Sequence, residues 1–268
     1  MNDIKRQSDE SLKFVARHYK KGIFNPDTAW QKITGKKSYS LMQPAMLFRI
    51  ASFVLILITV GIIYQNTDKT KIITAQHTTT SAILPDQSEI TLQPGAKLSY
   101  KKTFNKEVRN VSMSGDISFK VAHNAQKPFI VHTQNAEIKV IGTTFDVSSY
   151  NETTELNVTS GVVRFAPDSV PVSFICTKNM LAKYNGKTKE LSVNSPDWSC
   201  LISKKSNNIR FKNASLAVVC NVLNQYYDIN IVLSKKDAEL KLTTTLLNKN
   251  INEIIAIINL TLDTQLTY

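Results

Sequence analysis

The chain has 268 residues, a hydrophobic share of 42% and a formal net charge of +12. This is enough for one large domain or two small ones, and the composition is that of an ordinary folded protein. The excess of cations suggests nucleic acid or an anionic surface as a partner. The basic residues are scattered, however, and the densest group (Lys32, Lys36, Lys37, Arg49) immediately precedes an apolar run, so no direct nucleic-acid partner is expected.

Residues 1–45 read as two short helices. Leu12, Val15, Ala16 and Tyr19 recur at helical spacing, and Gly22 can end that helix. A second helix starts at Asn25-Pro26-Asp27, where Asn25 can cap, Pro26 suits the first helical position and Asp27 complements the helix dipole. Trp30 and Ile33 share its apolar face, and Gly35 can stop it. So short a segment cannot bury a Trp and two apolar stripes alone. It either docks a cytoplasmic protein or lies on the membrane surface, and the amphipathic pattern fits both.

Residues 46–64 predict one transmembrane helix. Ile50–Tyr64 carries no charge, and Met46, Leu47 and Phe48 extend the run past Arg49. Roughly 18 residues rise about 27 Å, close to the ~30 Å hydrocarbon core. Arg49 can snorkel at one boundary and Tyr64 suits the other. More cations flank the N-terminal side than the C-terminal side, where Lys69 and Lys71 follow. The positive-inside rule therefore places the N-terminus in the cytoplasm and the bulk of the chain across the membrane.

From residue 71 to about 195 the pattern changes to alternation. Short runs such as Glu89–Leu92, Lys97–Tyr100, Arg109–Met113, Phe129–Thr133, Glu137–Ile141, Thr144–Ser148, Glu155–Thr159 and Val162–Phe165 predict half-buried strands. Turn signals such as Pro94-Gly95, Ser114-Gly115 and Ser160-Gly161 separate them. The region is mainly β, in a sandwich, barrel or β-solenoid. Catalytic chemistry is not evident. His77, His123 and His132 face no nucleophile motif, and Asp86, Glu89, Asp116 and Asp146 read as single solvated or turn carboxylates. No catalytic, metal or cofactor site is expected. Cys176, Cys200 and Cys220 form no CxxC, and one disulfide or three buried thiols are both open. Gly142 suggests a backbone conformation or close approach that a side chain would block.

Residues 208–268 predict a small α+β domain of two related units. Ile209–Phe211 is a strand, Asn213 a helix cap, and Leu216, Val219, Cys220 and Leu223 a helical stripe, followed by a strand at Ile229–Leu233. The pattern recurs 35 residues on, mapping Leu216 onto Ile251, Val219 onto Ile254, Leu223 onto Ile258 and Asp228 onto Asp263. Asn250 and Glu253 form a capping-box pair, and Thr264–Tyr268 closes as a strand. Its sheet edge is either complete without a further strand or open to a partner's.

Several of these segments together resemble the FecR-type domain. They are Leu84-Pro85-Asp86 with the strands to Tyr100, then Arg109, Val111, Gly115, Phe119 and Val121. Pro128-Phe129 through Thr133, Val140 through Gly142-Thr143-Thr144-Phe145-Asp146-Val147, and Gly161-Val162-Val163 complete the set. Gln87 stands where the family has Gly, and Asp116-Ile117 where it has Glu-Ala. Residues 208–268 resemble the C-terminal domain found in Bacteroidetes members. The resemblance implies an inner-membrane anti-sigma factor that relays a signal from the signalling domain of a TonB-dependent outer-membrane transducer to a cytoplasmic extracytoplasmic-function sigma factor. Site proteases would act on it at the membrane. Residues 1–45 would hold the sigma factor through Leu12, Val15, Tyr19, Trp30 and Ile33, and residues 71–195 and 208–268 would lie in the periplasm. Leu84, Pro85, Asp86, Pro128, Phe129, Gly142, Thr143, Phe145 and Val147 would be structural. A structural or adhesive envelope protein anchored by the same helix is the alternative. A eukaryotic type II glycoprotein, suggested by sequons at Asn110, Asn151 and Asn157, fits the FecR-type pattern less well.

Overall fold

The computed structural model describes residues 2–18, 52–60, 70–106 and 108–268. They fall into two compact units, Met1–Asn66 and Thr67–Tyr268. In the first, α1 is Asn2–His18 and residues 52–60 form a helical segment, α2. Tyr19 and the expected helix holding Trp30 and Ile33 lie outside the described residues, as do 46–51 and 61–64 of the expected span. What remains of that span is helical, and its apolar side chains from Phe53 to Val60 are exposed. No helix among the described residues is long and apolar enough to cross a membrane.

The second unit is built on strands whose side chains alternate in burial, as the period of two requires. The strands are β1 (Thr70–Thr74), β2 (Thr80–Ile83), β3 (Glu89–Leu92), β4 (Lys97–Lys101), β5 (Arg109–Lys120), β6 (Phe129–His132), β7 (Ala136–Val140) and β8 (Thr144–Tyr150). They continue as β9 (Thr153–Ser160), β10 (Val163–Pro167), β11 (Phe174–Cys176), β12 (Leu181–Asn185), β13 (Glu190–Asn194), β14 (Ser199–Ser203), β15 (Asn208–Ser215) and β16 (Lys241–Leu247). Pairing gives two layers. One runs β1-β4-β5-β6-β7-β10-β11, all antiparallel except β5 with β6. The other runs β2-β3-β5-β8-β9-β12-β13-β14-β15-β16.

β5 belongs to both layers. Its first half pairs with β4 and β6, and from Gly115 onward it pairs with β3 and β8. The change of layer falls at Gly115, whose φ is +89° and where a Cβ would sit 2.6 Å from Ala96 Cα. A bending strand of this kind makes the corner of a two-layer fold, and only glycine has the space and conformation for it here. The chain changes layer again between β7 and β8, and between β9 and β10, and because every strand pair but β5 with β6 is antiparallel, the arrangement is sandwich-like and not the parallel stack of solenoid coils. On the inward face of the second layer Phe119 stacks on its cross-strand neighbour Phe145 at 5.1 Å, and it meets the edge of Phe129 of β6 at 6.1 Å. Such pairs add about 0.5–1.5 kcal/mol each beyond area burial.

The β2–β3 hairpin turns through Leu84–Ser88, closed by Leu84 N–H to Ser88 O and Gln87 N–H to Leu84 O. Gln87 has φ +69°. A left-handed conformation disfavours a side-chain-bearing residue by roughly 1–2 kcal/mol, partly offset by the greater unfolded-state freedom of glycine. Gln87→Gly is therefore expected to raise the unfolding free energy by about 0.5–1 kcal/mol. Urea titration checks this, and an unchanged or lower midpoint refutes it.

The repeat read in residues 208–268 is present at the atomic level. α3 (Leu216–Tyr227) is capped by Ser215 and α4 (Ile251–Leu262) by Asn250, whose capping box with Glu253 is complete. Both helices end on an aspartate in the left-handed conformation, Asp228 and Asp263. Two expectations fail. Asn213 caps nothing: it sits with φ +52° at the bulge of β15 and donates its amide to Asp197 O. The strands expected at Ile229–Leu233 and Thr264–Tyr268 shrink to one antiparallel bridge, Val232 with Thr267. Side-chain amides of the helices take the backbone groups a ladder would use. Asn224 Oδ1 accepts from Ile231 N–H at 2.8 Å, and Asn259 accepts from Leu266 N–H and donates to Leu266 O. β15 continues the sheet from β14, and the Gln225 side chain of α3 accepts from Ser173 N–H and donates to Ser173 O.

Candidate functional site

On α1, Leu12 and Val15 stand one turn apart and are 66% and 59% exposed, with Phe14 exposed beside them. Phe14 is occupied by an i,i+4 ring contact with His18. Leu12 and Val15 are thus placed together on one helix, uncovered, whereas Tyr19, Trp30 and Ile33 lie outside the described residues.

The motif residues of the larger unit converge on one buried cation. Arg109 is 1% exposed and pairs with Asp86 Oδ2 at 2.9 Å; the Asp86 side chain is 4% exposed. Sequence reasoning took Asp86 for a solvated turn carboxylate, and the structure corrects that. The β2–β3 turn aims it inward, where Ser88 N–H and Oγ–H also donate to it. The rest of the guanidinium is satisfied by carbonyls. Nε donates to Lys127 O at 2.7 Å, Nη1 to Ala122 O at 2.7 Å and Nη2 to Ile141 O at 3.1 Å. The Phe129 ring lies 5.5 Å from it, in cation–π range. Arg109 N–H donates to Pro128 O.

Leu84, Phe129, Phe145 and Val147 are buried in the core, while Pro85 is exposed at the turn. Gly142 passes so close to the 121–124 segment that a Cβ would fall 2.5 Å from His123 Cα. Thr143 is buried, its carbonyl accepts from Val121 N–H, and its Oγ1 has no hydrogen-bond partner among the described residues. The cluster binds its own backbone on every side and leaves no polar atom of Arg109 or Asp86 turned toward a ligand. Among the described residues no three His, Cys, Asp or Glu side chains gather in metal-binding geometry.

The cysteines resolve as three free, buried thiols. Burial pushes Cys176 and Cys200 up to about 12 and Cys220 up to about 11. Each stays a protonated, poorly nucleophilic thiol at neutral pH, since the thiolate is the reactive form.

Two family models match the chain. One, described as FecR protein, matches residues 70–164, and the other, FecR, C-terminal, matches residues 208–268; together they account for more than half of the chain. No curated protein matches it. Among solved structures, two crystal structures of a protein assigned as an anti-sigma factor from Parabacteroides distasonis ATCC 8503 are similar at 23% identity. One aligns over 74% of this chain and 93% of its own with a TM-score of 0.45. The other aligns over 73% and 93% with a TM-score of 0.44.

Proposed function

The chain belongs to the FecR family, and on that premise we propose that it is a membrane-anchored regulator of a sigma factor. Residues 1–45 hold an extracytoplasmic-function sigma factor in the cytoplasm, residues 46–64 cross the inner membrane once, and residues 67–268 receive the signal in the periplasm. The signal comes from the signalling domain of a TonB-dependent outer-membrane transducer, and site proteases cut the regulator at the membrane. The observation that carries the reading is the order of parts. An N-terminal helix with uncovered Leu12 and Val15 precedes an uncharged apolar run, and a folded, strand-rich unit follows. An uncovered apolar stripe on a short helix fits the groove of a partner protein.

The test is co-purification of the full-length chain from its native host, with sigma-factor transcription as a second readout. The wild-type chain is expected to bring down one sigma factor. Leu12→Asp with Val15→Asp, and separately Trp30→Ala, are expected to weaken that capture about tenfold or more, as loss of an interface anchor does. A sigma factor retained at full strength by all these variants refutes the assigned site. No sigma factor with the wild-type chain refutes the function and favours the anchored envelope protein.

A further inference from the structure

We propose that the outer face of the first β-layer docks onto an anionic phospholipid surface. The inference rests on the membrane-anchored reading above.

The solvent sides of the two layers differ in charge. On the first, the outward positions of β4, β7 and β10 carry Lys97, Lys101, Lys139 and Arg164, all exposed. Glu137 is the one carboxylate at the outward strand positions of that layer among the described residues. On the second layer the outward charges balance: Glu89, Asp116, Asp146, Glu155 and Glu190 stand against Lys120, Lys183, Arg210, Lys212 and Lys241, with Lys120 paired to Glu89 and Lys183 to Glu155. An anionic plane therefore attracts the first face, with its net positive charge, more strongly than the balanced second face. Face-to-face sheets stand about 10 Å apart, more than a physiological Debye length of about 8 Å, so the two faces act separately and the unit has a preferred orientation.

The register within the basic face adds a second observation. Arg164 of β10 lies directly opposite Lys139 of β7. Like charges directly opposite each other destabilise a sheet, and an anion held over the pair removes that penalty. The same cross-strand row places Ile175 of β11 beside Arg164 and Ile130 of β6 beside Lys139. Ile175 on the edge strand β11 and Ile72 on β1, at the opposite edge of the layer, are both well exposed. Cations flanked by aliphatic side chains suit a headgroup layer with apolar chains beneath it. A free anionic polymer uses the cations and leaves the aliphatics in water, so a bilayer is the better match.

The connection to the membrane favours the same occupant. β1 opens with Thr70, paired with Lys101 at the rim of this face. Residues 65–69, between the proposed span and β1, reach at most about 18 Å when fully extended. A folded unit on so short a tether meets the bilayer at a high effective concentration, so weak attraction per cation is sufficient.

Residues 67–268 suffice for the binding test because their core is formed entirely from residues 75–266. Flotation with phosphatidylcholine vesicles, with and without phosphatidylglycerol, reads the binding. The unit is expected to float with the phosphatidylglycerol vesicles and not the neutral ones, and to lose binding as salt rises. Each cation at such a surface strengthens binding roughly fivefold. Changing Lys97, Lys101, Lys139 and Arg164 together to Gln is thus expected to lower partitioning by tenfold or more. Changing the exposed Lys187, Lys205, Lys235 and Lys236 to Gln removes the same charge elsewhere and is expected to change it less than about twofold. Circular dichroism confirms that both variants are folded.

No flotation of the wild-type unit overturns the proposal, as does equal loss in both variants, which would mean attraction by net charge alone. Face-dependent binding to dextran sulfate without vesicle binding assigns the face to a polyanionic polymer and also overturns it. Carbonate extraction of the full-length chain tests the anchor separately. A chain that carbonate removes from membranes refutes the anchored reading whatever the vesicles show.

Discussion

Asp86→Ala is expected to destabilise residues 67–268 by about 3–5 kcal/mol, the typical result of leaving a buried charge without its partner. Arg109 carries a guanidinium charge, and at 1% exposure it has no water to turn to. The carbonyls of Lys127, Ala122 and Ile141 remain as acceptors but carry no neutralising charge. The same substitution leaves Ser88 N–H and Oγ–H without their acceptor. Against a typical total of about 5–15 kcal/mol, a loss of this size brings the variant close to unfolding. Urea unfolding followed by circular dichroism measures it. A loss below about 1 kcal/mol would mean that the pair adds nothing to the fold, against the expectation for a buried ion pair.

Arg109→Met separates charge from geometry. Replacing a buried ion pair with apolar residues is often neutral when every polar group leaves together. Here it would not be neutral, because the carbonyls of Ala122, Lys127 and Ile141 lose their donor and Asp86 stays behind. Each unsatisfied buried group costs about 1–3 kcal/mol, so Arg109→Met is expected to be at least as damaging as Asp86→Ala. The guanidinium therefore joins the β2–β3 turn, the 122–127 segment and the end of β7, which are far apart in the chain.

This cluster also shows where the sequence was legible and where it was not. Alternation located β3 to β10 and β15 because one face of each is buried, but β1, β2, β11 to β14 and β16 were not singled out, and Ser114-Gly115, read as a turn, lies inside β5; the 35-residue recurrence of Leu216, Val219 and Leu223 located both C-terminal helices. The layer assignment was not legible. β5 alternates without interruption through Gly115, and nothing in a period of two records which strands lie on either side. Arg109 did carry a signal. It shares parity with the inward Val111 and Met113, so an arginine there has to be buried and needs an acid. Nothing in the pattern pointed to Asp86 as that acid, because a turn carboxylate is usually solvated and the pairing spans 23 positions of the chain. The two lost C-terminal strands failed for a different reason. Asn224 and Asn259, which carry no periodic signal, reach out from their helices and take backbone groups of the following segments. On α1, periodicity placed Leu12 and Val15 on one stripe, and a stripe names no partner.

Gly142→Val is expected to be the most damaging single substitution in the crossover between β7 and β8. A Cβ there would stand 2.5 Å from His123 Cα and 2.8 Å from both His123 Cβ and Nδ1. Turning the His123 side chain relieves only the Nδ1 contact, because the other two atoms move only with the backbone. That backbone is bracketed on both sides: Val121 N–H donates to Thr143 O and Asn124 N–H to Ile141 O, each at 2.9 Å. Separating the segments by the ångström that a methyl group needs strains both bonds. Overpacking of this kind costs about 1–3 kcal/mol, and each hydrogen bond about 0.5–1.5 kcal/mol more. Gly142→Ala is thus expected to lose about 2–4 kcal/mol, and the larger, β-branched Val more. A Gly142→Ala protein as stable as the wild type in urea would show that the approach is not as close as drawn. The substitution should also couple to the buried ion pair, because Arg109 holds Ala122 O on one side of the crossover and Ile141 O on the other. Once Gly142→Ala has pushed these segments apart, Asp86→Ala has less left to disturb. The double variant is expected to be more stable than the sum of the single losses predicts, by about 0.5–3 kcal/mol. Additivity within about 0.3 kcal/mol would instead mean that the motif's two halves hold the sandwich independently.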